Sequence, residues 1–463
     1  MKPGFWITLF MVQLLCTWTF AFDEAAFIAG TEDESDEDAE TETGEESSVV
    51  EETVSAETNA DGIAISDAIS GLQFHGRFED QFTLMVMKDS ANRTQKHLYN
   101  YLQLRLDMDA DLPGNIVLRS DGVIRLFAGD TSVSMGEIIP PGTAAQATLA
   151  DPRLAAVLQD DYSFEDRAYL DNAYVKIPVG AFGVTLGKQP LGQGAGYVWN
   201  PTDLFTQKEM LDPSYQQEGV ISVKLTVPMG RAFMELITAP DNGFHYWTSG
   251  GRLQFPLGSF QFSAVGYYAR AQFIDMEQSM DAVEAAMIAG ASLEDAVVVE
   301  NHKRLLFGGD MVVDIEGVRL WTEAAYNYLP SKADWLEVEG GLEYFFPFET
   351  HFLFEYFYYG RAPVSHGGSY SLNGWVNVLD GNFKMLGRHF VFESIEHPIA
   401  DYWSLGVSSF QGFSDGSAIV EADLKWDFLQ DAQLWLMAAT GIGGREDFLT
   451  NSFQSWLRLT VFY

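Results

Sequence analysis

Along most of the chain, polar and apolar side chains alternate with a period of two. The clearest run is Gln103-Leu104-Arg105-Leu106-Asp107-Met108-Asp109, and the texture recurs at residues 74–79, 223–227, 336–339 and 420–427. Successive side chains of an extended strand point to opposite faces, so the pattern predicts strands with one apolar and one polar face. Such runs continue from about residue 71 to the end. Alternation alone fits a soluble sandwich as well as a membrane barrel, since each has one apolar face.

The connections separate the two. Short turn-like pieces, all but the last with Pro or Gly, fall at 112–114, 178–180, 228–230, 256–258, 314–317, 346–348, 397–399 and 429–431. Proline presets φ and glycine supplies positive φ, so each reverses the chain tightly. Between them lie pairs of strands joined by more variable connections, the longest at 130–164, 190–216, 274–302 and 360–383. Tight turns at one end and long loops at the other are the signature of an outer-membrane barrel. The reading is an all-β, transmembrane, antiparallel up-and-down barrel of eighteen strands. Sixteen is the alternative, because 243–255 and 382–395 alternate poorly. Either number leaves an aqueous lumen, and an even count puts both mature termini on the periplasmic, tight-turn side.

The N-terminus changes the picture of where the chain goes. Residues 1–21 carry Lys2, an apolar run from Phe5 to Leu15 and a small-residue end at Thr19-Phe20-Ala21. This is the form of a secretory signal peptide, and its apolar core is shorter than the ~20 residues a spanning helix needs. The single cysteine, Cys16, lies inside it, which excludes thiolate catalysis and Cys-based metal sites from the exported part. Residues 22–70 form a second segment. Sixteen Asp and Glu and no Lys or Arg fall between 23 and 61, a composition that cannot bury a core and predicts a disordered periplasmic segment. The barrel then occupies 71–463. The net charge of −39 excludes nucleic acid as a partner of the whole molecule.

At the C-terminus, Ser455, Leu457, Leu459, Val461 and Tyr463 share one face, and Trp456, Arg458 and Thr460 the other. A terminal strand ending on an aromatic resembles the signal by which outer-membrane proteins engage the barrel-assembly machinery. Outer-membrane lipid is the other partner this strand implies.

If the apolar faces meet lipid, the polar ones face inward, because charge on the lipid face is costly. Arg77, Arg105, Arg119, Arg125, Arg319 and Arg458, with Glu337, Glu339, Glu343 and Glu355, are then candidate pore-lining residues. Two arrangements fit. A basic wall of early and last strands faces an acidic wall near 336–357 and sets a transverse field, or the charges pair locally, as Arg105 with Asp121. No HExxH, Gly-x-Ser-x-Gly elbow or phosphate-binding loop occurs, and the eight histidines lack metal-ligand spacing, so no catalytic residue, metal or cofactor is expected.

One stretch departs from alternation. Val184-Thr185-Leu186-Gly187-Lys188-Gln189 leads to Gly194-Ala195-Gly196-Tyr197-Val198-Trp199-Asn200-Pro201-Thr202-Asp203-Leu204-Phe205, then Asp212-Pro213 and Glu218-Gly219-Val220. Glycines, Trp199 and the Asn-Pro turn predict a loop folded inward, with Lys188, Gln189, Trp199 and Asp203 as constriction candidates. A surface loop with the same turn chemistry is the alternative. The stretch resembles one in the alginate-export and related substrate-specific outer-membrane channel families, which runs from a Gly-Arg-Gln strand end through a Trp/Gly-rich loop to an Asn-Pro turn. Lys188 stands where Arg is usual, and the inward charge is not predominantly basic, which counts against a polyanion such as alginate. The resemblance implies a porin-like channel for small hydrophilic solutes. An exporter of an extended polymer and a non-conducting structural barrel are the alternatives. Residues 276–298 read as one or two short helices, the second capped by Ser292, in an external loop that is a candidate lid.

Overall fold

A computed structural model describes residues 72–463 except 90–92, 160, 207, 209–216, 242, 290–296, 364–369 and 445–451. The expected signal peptide, the acidic segment and the Ser292 cap lie outside the described residues. Eighteen antiparallel strands join into one sheet. The first, Leu72–Lys88, closes on the last, Ser452–Phe462, with Arg77 opposite Phe462 and Met87 opposite Ser452. Closure leaves no strand edge unpaired, the condition for β-structure in hydrocarbon.

Burial decides what alternation alone does not. In the strand Thr94–Leu112, Gln103, Arg105 and Asp107 are buried, whereas Leu104 is 39% and Leu106 47% exposed. The polar face is inside and the apolar face outside, the inverse of a soluble sandwich. The poorly alternating stretches do form strands, at Trp247–Leu257 and His389–Ala400.

Eight short connections lie at one end, at 113–115, 180–181, 230–231, 258–259, 316–317, 346–350, 401–402 and 430–431. In the first, Gly114 and Asn115 both adopt positive φ (86° and 60°), a conformation Gly and Asn tolerate and β-branched residues resist. The turn expected at 397–399 is displaced to 401–402. The strand continues through Pro398 to Ala400, and the register slips between these two residues. An irregular position near a strand end accepts a residue without an N–H.

The long connections occupy the other end. Residues 130–166 hold a two-stranded pair, Ser132–Ser134 with Asp161–Ser163, and the helices Met135–Ile138, Pro141–Ala150 and Leu154–Leu158. Residues 360–388 hold the helix Leu372–Leu379, capped by Ser371, whose side chain accepts from the Gly374 N–H at 3.2 Å. Thr143 donates to the Tyr370 carbonyl at 3.0 Å and joins these two loops. Asn377 accepts from the Ile274 N–H at 3.1 Å and joins the helix to the wall. The core lies inside the barrel: Ile139, Trp375, Val378 and Leu379 from the loops pack with Trp199, Phe357, Phe390 and Phe410. The helix Met276–Ala289 buries Met280 and Val283 against Ala147 and Leu154. Arg153 pins it through Asp281 (3.3 Å) and Glu284 (2.9 Å).

Candidate functional site

The segment 190–206 runs inside the barrel and is held there by two wall carboxylates. Glu323, on the strand Val318–Tyr328, accepts from the N–H groups of Ala195 (2.8 Å) and Thr202 (2.5 Å). Glu355, on His351–Tyr359, accepts from Val198 (2.7 Å) and Trp199 (3.2 Å). A loop backbone inside a barrel needs partners for its N–H groups, and a carboxylate is the strongest acceptor a wall supplies. The glycines permit this approach. A Cβ on Gly194 (φ 107°) would stand 2.5 Å from Glu323 Oε2, and one on Gly196 would stand 2.7 Å from Glu355 Oε1.

The loop is also tied to itself. Asp203, buried, accepts from the N–H groups of Gln193 (3.0 Å), Phe205 (2.8 Å) and Thr206 (3.1 Å) and from the Thr206 hydroxyl (2.6 Å). Burial pushes its carboxyl above the ordinary aspartate range, partly offset by these hydrogen bonds. Lys208 donates to the carbonyls of Gly196 (2.6 Å) and Tyr197 (3.0 Å), and burial holds its ammonium pKa below the ordinary lysine value. Trp199 stacks on Phe357 at 5.1 Å and packs against Phe410 at 5.3 Å. It is therefore an apolar anchor under the loop.

Of the four constriction candidates, Gln189, Trp199 and Asp203 lie inward, each no more than 5% exposed. Lys188 does not. It shares its face with the exposed Leu186, opposite Ile221, and pairs on the outer surface with Glu218 while donating to the Leu170 carbonyl at 2.7 Å. Neighbours on a strand face opposite ways, so Lys188 and Gln189 cannot both point in.

The inward arginines are matched on their own wall. Arg105 contacts Asp107 (2.7 Å), Asp121 (2.8 Å) and Asp171. Arg119 also reaches Asp121, at 3.1 Å. A register shift beside Asp121 creates this knot: Asp121 faces Asn172 and Gly122 faces Leu170, so Asp171 is the extra residue and both it and Asn172 are buried. Arg77 meets Glu79 at 3.2 Å, Arg125 meets Gln103 at 2.6 Å, and Arg458 meets Gln81 at 2.7 Å. Arg319 lies 3.9 Å from Glu343, which also meets His351 at 3.3 Å.

Glu337 accepts from Trp335 Nε1 (2.8 Å) and pairs with Lys384 (2.7 Å), while Glu339 accepts from Trp321 Nε1 (2.6 Å). Arg105 and Arg319 thus meet carboxylates on adjacent strands, whereas Glu337, Glu339 and Glu355 find their partners in Lys384, Trp321 and the inward loop. Lys384 and Lys208, which complete the site from long loops, carried no sequence signal, because lone lysines in aperiodic stretches have no pattern to place them. Glu323 was legible only as an inward residue.

No protein-family profile matches the chain, and no curated protein does. Among solved structures it is similar to OccK11 (OpdR) of Pseudomonas aeruginosa, at 11% identity over 85% of this chain and 97% of that one, with a TM-score of 0.47. It is similar to OccAB4 of Acinetobacter baumannii, at 9% identity over 85% and 99%, TM-score 0.45. A mutant of the Rh. blastica porin aligns at 8% identity over 85% and 100%, TM-score 0.40. The closed antiparallel barrel itself rests on the chain's own strand registers.

Proposed function

We propose that this protein is an outer-membrane channel that passes small hydrophilic solutes through a barrel narrowed by its own inward loops. The observation that carries the reading is the segment 190–206, tethered inside an eighteen-stranded wall by Glu323 and Glu355. A barrel of this size has room for water and solute beside such a loop. Charged, hydrogen-bonded inner walls favour polar solutes over apolar ones. The start of the first strand and the end of the last fit the orientation expected of such channels: Leu72 and Tyr463 both lie at the short-turn end, which faces the periplasm in this reading.

Reconstitution into planar bilayers tests the proposal. Discrete single-channel conductance is expected, and liposomes carrying the protein should swell in small neutral or zwitterionic solutes faster than in larger ones. A folded protein that inserts without conductance or swelling would overturn it.

A further inference from the structure

The wall formed by the strands His389–Ala400, Trp403–Gly412, Ser417–Leu429, Ala432–Ile442 and Ser452–Phe462 differs from the rest of the interior. Among the described residues, buried polar atoms without a hydrogen-bond partner also occur elsewhere, as Gln193 Nε2, Thr202 Oγ1 and Glu339 Oε2, but here they gather on five adjacent strands. Here the side chains of Ser394, Ser408, Asp423, Trp435, Gln454 and Trp456 are each no more than 5% exposed and point inward. Among the described residues, Ser394 Oγ, Ser408 Oγ, Asp423 Oδ2, the two indole Nε1 groups and Gln454 Nε2 have no hydrogen-bond partner.

The registers bring them onto one surface. Ser394 stands opposite Ser408, and Ser408 opposite Glu421. Asp423 lies between Gly406 and Met437, and Met437 in turn faces Trp456. Gln454 faces Ala439 in the next inward row. Gly406 is required beside Asp423, because a Cβ there would collide with the carboxylate. The indoles are fixed edge to face, 4.5 Å apart. Arg458 lies 4.6 Å over Trp456, and Lys425 lies 5.1 Å over Trp435. With their faces covered by cations, the indoles present fixed N–H donors.

Buried polar atoms are normally paired, so six atoms without a hydrogen-bond partner on a single wall, one of them the second oxygen of Asp423, call for an external partner. Its chemistry follows from theirs: three are donors only, one is an acceptor only, and two hydroxyls do both. The charged members are engaged already, Lys425 with Glu396 at 3.3 Å and Arg458 with Gln81. An anion would meet Asp423 and Glu421, and a cation would meet Lys425 and Arg458. We infer that this wall is a binding surface for a neutral polyhydroxylated solute, a sugar or sugar alcohol, whose hydroxyls each donate and accept. The inference rests on the channel reading and gives it a substrate class.

The test titrates glucose and maltotriose, with glucuronate as a charged comparison, against the full-length protein in planar bilayers. Current block is normalised to each protein's own open conductance. Saturable block by maltotriose is expected, with weaker block by glucuronate. Trp435→Phe with Trp456→Phe keeps an aromatic ring at each position but removes both N–H groups, and should raise the half-blocking concentration about tenfold or more. If that variant fails to fold, Ser394→Ala with Ser408→Ala tests the same surface. A conducting protein that sugars do not block, or a variant blocked like the parent, overturns the inference and leaves the channel standing. If the protein does not conduct, the channel reading fails. Tryptophan fluorescence in detergent then decides the site: saturable change with maltotriose supports it, and none overturns it.

Discussion

Glu355 accepts the backbone N–H of Val198 at 2.7 Å, across 157 residues of sequence. With the neighbouring bond from Trp199 and the matching pair on Glu323, the barrel wall holds the loop through its backbone. Replacing Glu355 by Ala leaves two buried N–H groups unpaired, at about 1–3 kcal/mol each. Expected outcomes are a lower unfolding temperature and a larger, noisier single-channel conductance as the segment loosens. Glu355→Gln keeps an acceptor and should lie between. Conductance and melting both unchanged in Glu355→Ala would show that the carboxylate does not anchor the loop.

Arg105 is the centre of the second knot, with Asp107, Asp121 and Asp171 around it. Removing the one side chain that, among the described residues, meets all three leaves buried carboxylates crowded together. Arg105→Ala should therefore destabilise the barrel by about 3–5 kcal/mol. Arg105→Lys should recover only part of this, because an ammonium carries its three donors on one atom and lacks the planar guanidinium fork that reaches carboxylates on separate sides. Urea unfolding in lipid vesicles reads the difference, and equal stability of Ala and Lys variants would contradict it.

How far the sequence showed this depends on the kind of signal each residue carries. Strand number and the positions of most turns were legible, since period-two alternation and Pro or Gly at the reversals are local properties. The inward path of 190–206 was one of two readings that Gly194, Gly196, Trp199 and the Asn-Pro turn allowed, a surface loop being the other. Its anchors were not: alternation marks Glu323 and Glu355 as inward but cannot say that a segment more than 100 residues earlier supplies their donors. The knot around Asp171 was not legible, because the register shift at that point puts two consecutive residues on one face, and strict alternation cannot place both there. Lys188 was misplaced for a simpler reason. One step along the strand from Gln189 means the opposite side of the wall.

Asp380 follows the helix Leu372–Leu379, and burial pushes its carboxyl up to about 6, partly offset by the amide of Asn382, which donates to it at 2.6 Å. The folded pKa lies above the ordinary aspartate value of about 3.9, so the folded state binds the proton more tightly. Stability contributed by protonation is present below about 4 and is lost as pH rises through about 6. The loop 372–388 should thus be better protected at pH 5 than at pH 7.5. Hydrogen exchange, corrected for intrinsic rates, measures this. Asp380→Asn should abolish the pH dependence in this loop, and persistence of the full dependence in that variant would assign it elsewhere.

Lys188 and Glu218 form an ion pair on the outer face, where the side chains around them, Leu186 and Ile221, are exposed to the lipid side. Each charge there is tolerated because the other is present, and the lysine also satisfies the Leu170 carbonyl. Lys188→Met alone strands a carboxylate beside hydrocarbon, and Glu218→Gln alone strands an ammonium, so each should destabilise the barrel by about 1–3 kcal/mol. The double variant removes both charges and should cost less than the sum of the two, with a coupling of about 0.5–3 kcal/mol. Urea unfolding of the four proteins in vesicles completes the cycle. Strict additivity would mean that the two side chains are solvated independently at the rim, and the pair would then have no part in seating the barrel in lipid.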